Sequence, residues 1–88
     1  MASPTEKAAK TIRIQYFAQL REERGLSSET IDTDAETPRQ LYDFLRDRHT
    51  FSLPPERLSV AINEAFADWH RPLSNEDTVV FIPPVAGG

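Results

Sequence analysis

Between Thr11 and Phe17 the chain alternates strictly, with Ile12, Ile14 and Tyr16 on one side and Arg13, Gln15 and Phe17 on the other. That period of two predicts a strand with one buried face. "AQLREERG" then suggests a short helical turn, with Gly25 placed to end it in the left-handed conformation. "SETIDT", residues 28–33, reads as a second, weaker strand pairing back on the first. The period lengthens in "TPRQLYDFLRDRH". Thr37 is a good N-cap, and Pro38 occupies the first helical position, where its missing N–H costs nothing. Leu41, Phe44, Leu45 and Arg48 follow at i, i+3, i+4 and i+7, so Leu41, Phe44 and Leu45 are the expected buried stripe. "FSLPPE" interrupts the chain. "RLSVAIN", residues 57–63, alternates again with Leu58, Val60 and Ile62 on one side. "AFADWHRPL" is irregular, with a short strand expected around 66–69. "NED" signals a turn, and "TVVFI" (78–82) is a strand stopped by Pro83.

Strand, strand, helix, strand, a short irregular piece and a last strand describe an α+β domain of the β-grasp, or ubiquitin-like, kind. The expected architecture is a mixed sheet of about four or five strands packed on one main helix, with the terminal strand beside the first in mid-sheet. Residues 1–10, small, polar and charged, are expected to form a disordered extension. The domain then runs from 11 to 82, and residues 83–88 form a projecting tail.

Composition narrows the function. Eighty-eight residues make one small domain, and the absence of cysteine removes disulfides, thiolate metal sites and any persulfide chemistry of its own. A net charge of −4 argues against a phosphate-binding surface, so no nucleic acid is expected. Without a long apolar run or a signal peptide, no membrane partner is expected and a cytoplasmic location is the default. His49 and His70 lack metal-ligand spacing and accompany no nucleophile motif, so neither metal nor catalytic side chain is expected. Glu22 and Glu23 form no evident acid/base site, and "REER" and "RDRH" read as solvated helix faces.

The end "FIPPVAGG" offers more chemistry. Pro83 and Pro84 cannot continue a ladder and favour extended polyproline geometry. Six residues from Pro83 reach up to roughly 20 Å, at about 3.3–3.6 Å each. Val85 is an apolar handle, and Gly87 and Gly88, bare of side chains, fit a channel too narrow for other residues. A carboxylate carried there is a poor electrophile until adenylation by ATP supplies a leaving group. A sulfur nucleophile would then give a thiocarboxylate, or an amine an amide.

"YFAQLRE" after an opening strand, "VAIN" in the third strand and "RPLSNEDTVVFIPPVAGG" resemble the small subunit of molybdopterin synthase, the MoaD family of sulfur carriers. The resemblance covers nearly all of residues 11–88. It implies that an E1-like enzyme adenylates Gly88 using ATP and that a sulfur donor system makes the thiocarboxylate. The tail, with Gly87 allowing entry, would then pass into the large synthase subunit and give its sulfur to cyclic pyranopterin monophosphate. No cofactor would be bound by this chain, catalytic side chains would belong to the large subunit, and a heterotetramer of small and large subunits is suggested. The partner surface would include Phe17, Phe66 and Ile82 as one exposed apolar patch, together with Pro83, Pro84, Val85 and Ala86. The pattern leaves a core position for Phe66 open. One departure stands out: where the family has glycine before aspartate, this chain has Glu76-Asp77, and Asn75 is the better candidate for a left-handed turn position. A carrier for thiazole synthesis and a ubiquitin-like protein modifier are the alternatives, followed by an interaction module with an inert tail.

Overall fold

The computed structural model describes residues 9–84. Val85, Ala86, Gly87 and Gly88, and all of the expected N-terminal extension except Ala9 and Lys10, lie outside the described residues. Strand β1 (Lys10–Tyr16) begins one residue earlier than alternation indicates, because Lys10 still pairs with Thr33. Its Ile12, Ile14 and Tyr16 are buried, as the period of two requires. Helix α1 (Ala18–Arg24) ends on Gly25 at φ 81°, whose N–H donates to the carbonyl of Arg21. Only glycine takes that left-handed cap without a steric cost.

Strand β2 (Ser28–Thr33) runs antiparallel to β1, and helix α2 (Pro38–His49) then crosses the sheet. Thr37 caps α2 by accepting from the Gln40 N–H at 3.2 Å, with Pro38 in the first turn. A short 3-10 turn (Pro55–Arg57) precedes β3 (Ser59–Ile62), β4 (Ala65–Ala67) and β5 (Thr78–Ile82). The sheet order is β2-β1-β5-β3-β4, with β5 parallel to β1 and antiparallel to β3. This is the expected β-grasp, with the last strand in the middle.

The core lies between one sheet face and α2. Ile12, Ile14, Tyr16, Val60, Ile62, Val79 and Phe81 meet Leu41, Tyr42 and Leu45, and Leu20, Phe51, Leu58 and Leu73 close its edges. Here the helical stripe departs from expectation: Phe44 is 43% exposed, and Tyr42 is inside. Tyr42 stacks on Phe51 at 5.8 Å and packs against Phe81 at 5.0 Å and Trp69 at 6.1 Å. Its hydroxyl donates to the Leu53 carbonyl at 2.8 Å, so the polar tip is buried without penalty. With Tyr42 facing the sheet, α2 turns Phe44 toward solvent.

The turn before β5 also differs. Glu76 itself takes the left-handed position, at φ 70°, and its N–H donates to the Thr11 carbonyl. Asn75 instead uses its side chain, accepting from the Thr11 N–H at 2.8 Å. Asp77 closes the turn by accepting from the Ser74 N–H and from Asn63 Nδ2, both at 2.8 Å. These bonds fix the point at which β5 enters the sheet.

Candidate functional site

Pro83 and Pro84 follow the central strand of the sheet. β5 has a hydrogen-bonded neighbour on each side, Tyr16 opposite Phe81 on β1 and Ser59 opposite Ile82 on β3. Val79 and Phe81 are fully buried, and Phe81 adds ring contacts to Tyr42 and, stacked at 5.9 Å, to Trp69. Pro83, half-buried, and Pro84, exposed, come directly after Ile82. Having no N–H to extend the ladder, they end the strand at the rim of the sheet.

Because Val79 and Phe81 face α2, Thr78, Val80 and Ile82 face the opposite, open side. Register assembles the rest of that face. Gln15, Val80, Ala61 and Phe66 form one row across β1, β5, β3 and β4. Phe17 follows β1 in extended geometry (φ −128°, ψ 152°), so its side chain falls on the side opposite Tyr16 and level with Ile82. Phe17 is 47% and Phe66 80% exposed, while Ile82 is half-buried. Phe66 is therefore a surface residue, on a three-residue edge strand in which Ala65 is also exposed and Ala67 half-buried.

Val80, half-buried, and Ala61, buried, were outside the patch expected from alternation but stand in register between β1 and Phe66. The signal for Val80 was present, since Val79 and Phe81 inward forces Val80 outward. Beyond Val80 the face turns polar, and Arg13, Gln15, Asn63, Glu64 and Thr78 line a shallow hollow of about 330 Å³. The open face is thus apolar at the tail end and polar at the other. It contains no nucleophile–base pair. Among the described residues, no cluster of His, Cys, Asp and Glu suits a metal ion, and no helix is long and apolar enough to cross a membrane.

The remaining charged candidates are structural. Glu23 accepts from the backbone N–H and the hydroxyl of Ser52, at 3.1 and 2.6 Å, tying α1 to the loop after α2. The Ser52 hydroxyl holds its carboxyl below the usual carboxylate range. Arg24 grips Glu29 with two bonds of 2.7 and 2.9 Å, and the Tyr16 hydroxyl donates to the same carboxylate at 2.6 Å. Within "REER", Glu23 and Arg24 are thus ties between elements, while Arg21 and Glu22 are exposed as expected of a solvated face. His49 packs on Phe51 at 5.9 Å, and burial lowers its pKa; His70 is exposed elsewhere, its N–H donating to Asp68. The structure does not bring the two histidines into one site.

Comparison with known proteins fits this geometry. The model of the ThiS family matches residues 14–88. The molybdopterin synthase sulfur carrier subunit of Escherichia coli K12 is 32% identical over 80 residues, covering 88% of this chain and 99% of that protein. SAMP1 from Haloferax volcanii shares the fold at TM-score 0.71 and 24% identity, over 89% of this chain and 99% of its own. A chain in the complex of subunits 1 and 2 of the molybdopterin-converting factor from Helicobacter pylori 26695 aligns at TM-score 0.63 and 20% identity, over 89% and 99%.

Proposed function

The chain belongs to the ThiS family, and from that premise we propose that it is the sulfur carrier subunit of a molybdopterin synthase. The observation that carries the reading is the placement of β5: buried between β1 and β3, it ends in Pro83-Pro84 at the rim of the sheet, beside Phe17. A strand so held is a rigid base, and the diproline favours an extended exit from it. The E. coli relative, spanned almost end to end, supports the molybdopterin branch over the thiazole and modifier alternatives.

In this reading the Gly88 carboxylate attacks the α-phosphorus of ATP on an E1-like enzyme, and pyrophosphate leaves. A sulfur donor system then displaces AMP from the acyl-adenylate, leaving a thiocarboxylate. Gly87 lets the loaded end enter a narrow channel of the large subunit, where the sulfur passes to cyclic pyranopterin monophosphate. Pro83 and Pro84 stiffen the exit, and Val85 and Ala86 would fill the channel entrance. Phe17, Ile82 and Phe66, with Val80 and Ala61 in register between β1 and Phe66, give the partners an apolar surface around the exit. The H. pylori complex, which pairs subunit 1 with subunit 2, supports a large subunit as one such partner.

The test is the intact mass of the chain after incubation with the activating enzyme, ATP and a sulfur source. One oxygen replaced by sulfur is expected, and loss of loading on deletion of Gly88. An unchanged mass, with the enzyme active on another carrier, overturns the proposal. Copurification with the large subunit and sulfuration of the pterin then separate this carrier from a thiazole-branch one.

A further inference from the structure

We propose that Gln19, Glu23 and Ser52 form a latch that positions Phe17 beside the tail exit for docking, a role that rests on the carrier reading above. Ala18, which joins Phe17 to α1, lies at φ 52°, in the left-handed region where a side chain bearing a Cβ is strained. Phe17 before it is extended, and its carbonyl accepts from the N–H groups of Leu20 at 3.1 Å and Arg21 at 3.4 Å. One abrupt turn at Ala18 therefore sets both the start of the helix and the direction in which the Phe17 side chain leaves β1.

Such a turn persists only where its surroundings over-determine it. α1 has seven residues, too few for a helix that is stable by itself, and Phe17 at its N-cap offers no side-chain acceptor. Leu20 anchors the inner side of α1 in the core, and Gly25 and the Arg24–Glu29 pair hold its C-terminal end. Ser52 holds the outer side. Gln19 Nε2 donates to Ser52 Oγ at 2.6 Å, while the Ser52 hydroxyl and backbone N–H donate to Glu23 at 2.6 and 3.1 Å. Ser52 is thus bonded to two successive turns of α1, which a Gln19–Glu23 bond of 3.0 Å ties together.

The latch also has a fixed base. Phe51, the neighbour of Ser52, is buried with its ring 5.7 Å from Tyr16 and 5.8 Å from Tyr42. Gln19, Glu23 and Ser52 are themselves exposed, so the latch contributes to orientation more than to the core. Without it the first turn of α1 is free to swing and Ala18 to relax to negative φ. Phe17, 47% exposed and level with Ile82, then loses its fixed direction, and a partner must order it again at a cost in affinity.

The experiment compares the full-length, isotope-labelled chain with its Ser52→Ala and Ser52→Thr variants, the second of which keeps the hydroxyl. In the free proteins, amide order parameters at Phe17 and Ala18 are expected near about 0.85 in the parent and Ser52→Thr, and below about 0.6 in Ser52→Ala, with β1 and β5 unchanged. Calorimetric titration with the large subunit, well below the melting temperature, should show affinity about tenfold weaker for Ser52→Ala and restored in Ser52→Thr. In a Phe17→Ala background Ser52→Ala should have no further effect, because no ring is left to position; a merely structural loss weakens both backgrounds alike. Unchanged order at Phe17 and Ala18 in Ser52→Ala overturns the proposal. So do unchanged affinity in that variant, equal loss with and without the Phe17 ring, or a loss in Ser52→Thr as large as in Ser52→Ala. The relaxation measurement needs no partner, so it tests the latch even where the parent chain fails to bind the large subunit, an outcome that counts against the carrier reading alone.

Discussion

Glu76 sits at φ 70°, where a side chain bearing a Cβ is strained by about 1–2 kcal/mol and glycine is not. The fold holds it there because its N–H bonds to Thr11 and the turn must deliver Asp77 to Asn63 and Ser74. Glu76→Gly keeps those bonds and removes the strain, at some cost in unfolded-chain entropy, so it should raise stability by about 1 kcal/mol in urea titration. Glu29 shows a different residue-scale effect. Its bonds with Arg24, and next with Tyr16, hold its pKa below the ordinary 4.5 despite burial. A depressed folded pKa contributes stability that is complete above the ordinary value and is lost as pH falls through the folded one. Glu29→Gln should therefore cost about 1–3 kcal/mol at neutral pH. The gap to the parent should close below pH 4.5, as acid-unfolding curves of the two proteins would reveal. At the alkaline end, burial pushes the Tyr42 hydroxyl up to about 12, so its contribution is complete below pH 10 and is lost as pH rises toward that value.

At the scale of elements, α2 presents two aromatic residues two positions apart with opposite fates. Tyr42 is buried among Phe51, Trp69 and Phe81, whereas Phe44 is exposed and stacks with Arg48. Truncating a buried leucine costs about 2–5 kcal/mol through lost transfer energy and the cavity left behind. Leu45→Ala should fall in that range, and Phe44→Ala should cost less than about 1 kcal/mol, since much of its ring is already in water. Equal losses in thermal unfolding would mean that α2 is rotated from the orientation described. β5 is the counterpart in the sheet, where Phe81→Ala should cost about 3–5 kcal/mol because it removes a fully buried ring packed on Tyr42 and Trp69.

For the molecule as a whole, the core and the apolar surface proposed to meet the large subunit lie on opposite faces of one sheet. The helix side holds the core, and the open side carries Phe17, Ile82, Val80, Ala61 and Phe66 beside the tail exit. Phe66→Arg should therefore leave the melting temperature within a degree or so, a surface change being worth about 0.5 kcal/mol or less. The same change should weaken binding to the large subunit by tenfold or more, as expected for a large exposed aromatic that becomes buried on docking. Calorimetric titration of the two subunits tests this, and equal affinity would remove Phe66 from the docking face.

Much of this architecture was legible in the chain. β2 and β5 occupy the predicted residues, α2 starts at Thr37-Pro38, and Ile12, Ile14 and Tyr16 face inward, because alternation, capping and proline act through covalently close neighbours. The chemistry proposed for the tail was likewise a matter of local residue types. The rest needed residues far apart in sequence. Phe51, Trp69 and Phe81 had to converge, and the Leu53 carbonyl had to accept a hydroxyl, before Tyr42 rather than Phe44 turned inward. Thr11 had to lie opposite residues 75 and 76 before Glu76 was held at positive φ. Cross-strand register brought Val80, Ala61 and Phe66 into one row, which spacing along the chain does not encode. Sequence by itself determined which segments form elements and which of their faces are apolar. Tertiary packing decided how each element is rotated, because that depends on fitting volumes and hydrogen-bond partners from distant parts of the chain.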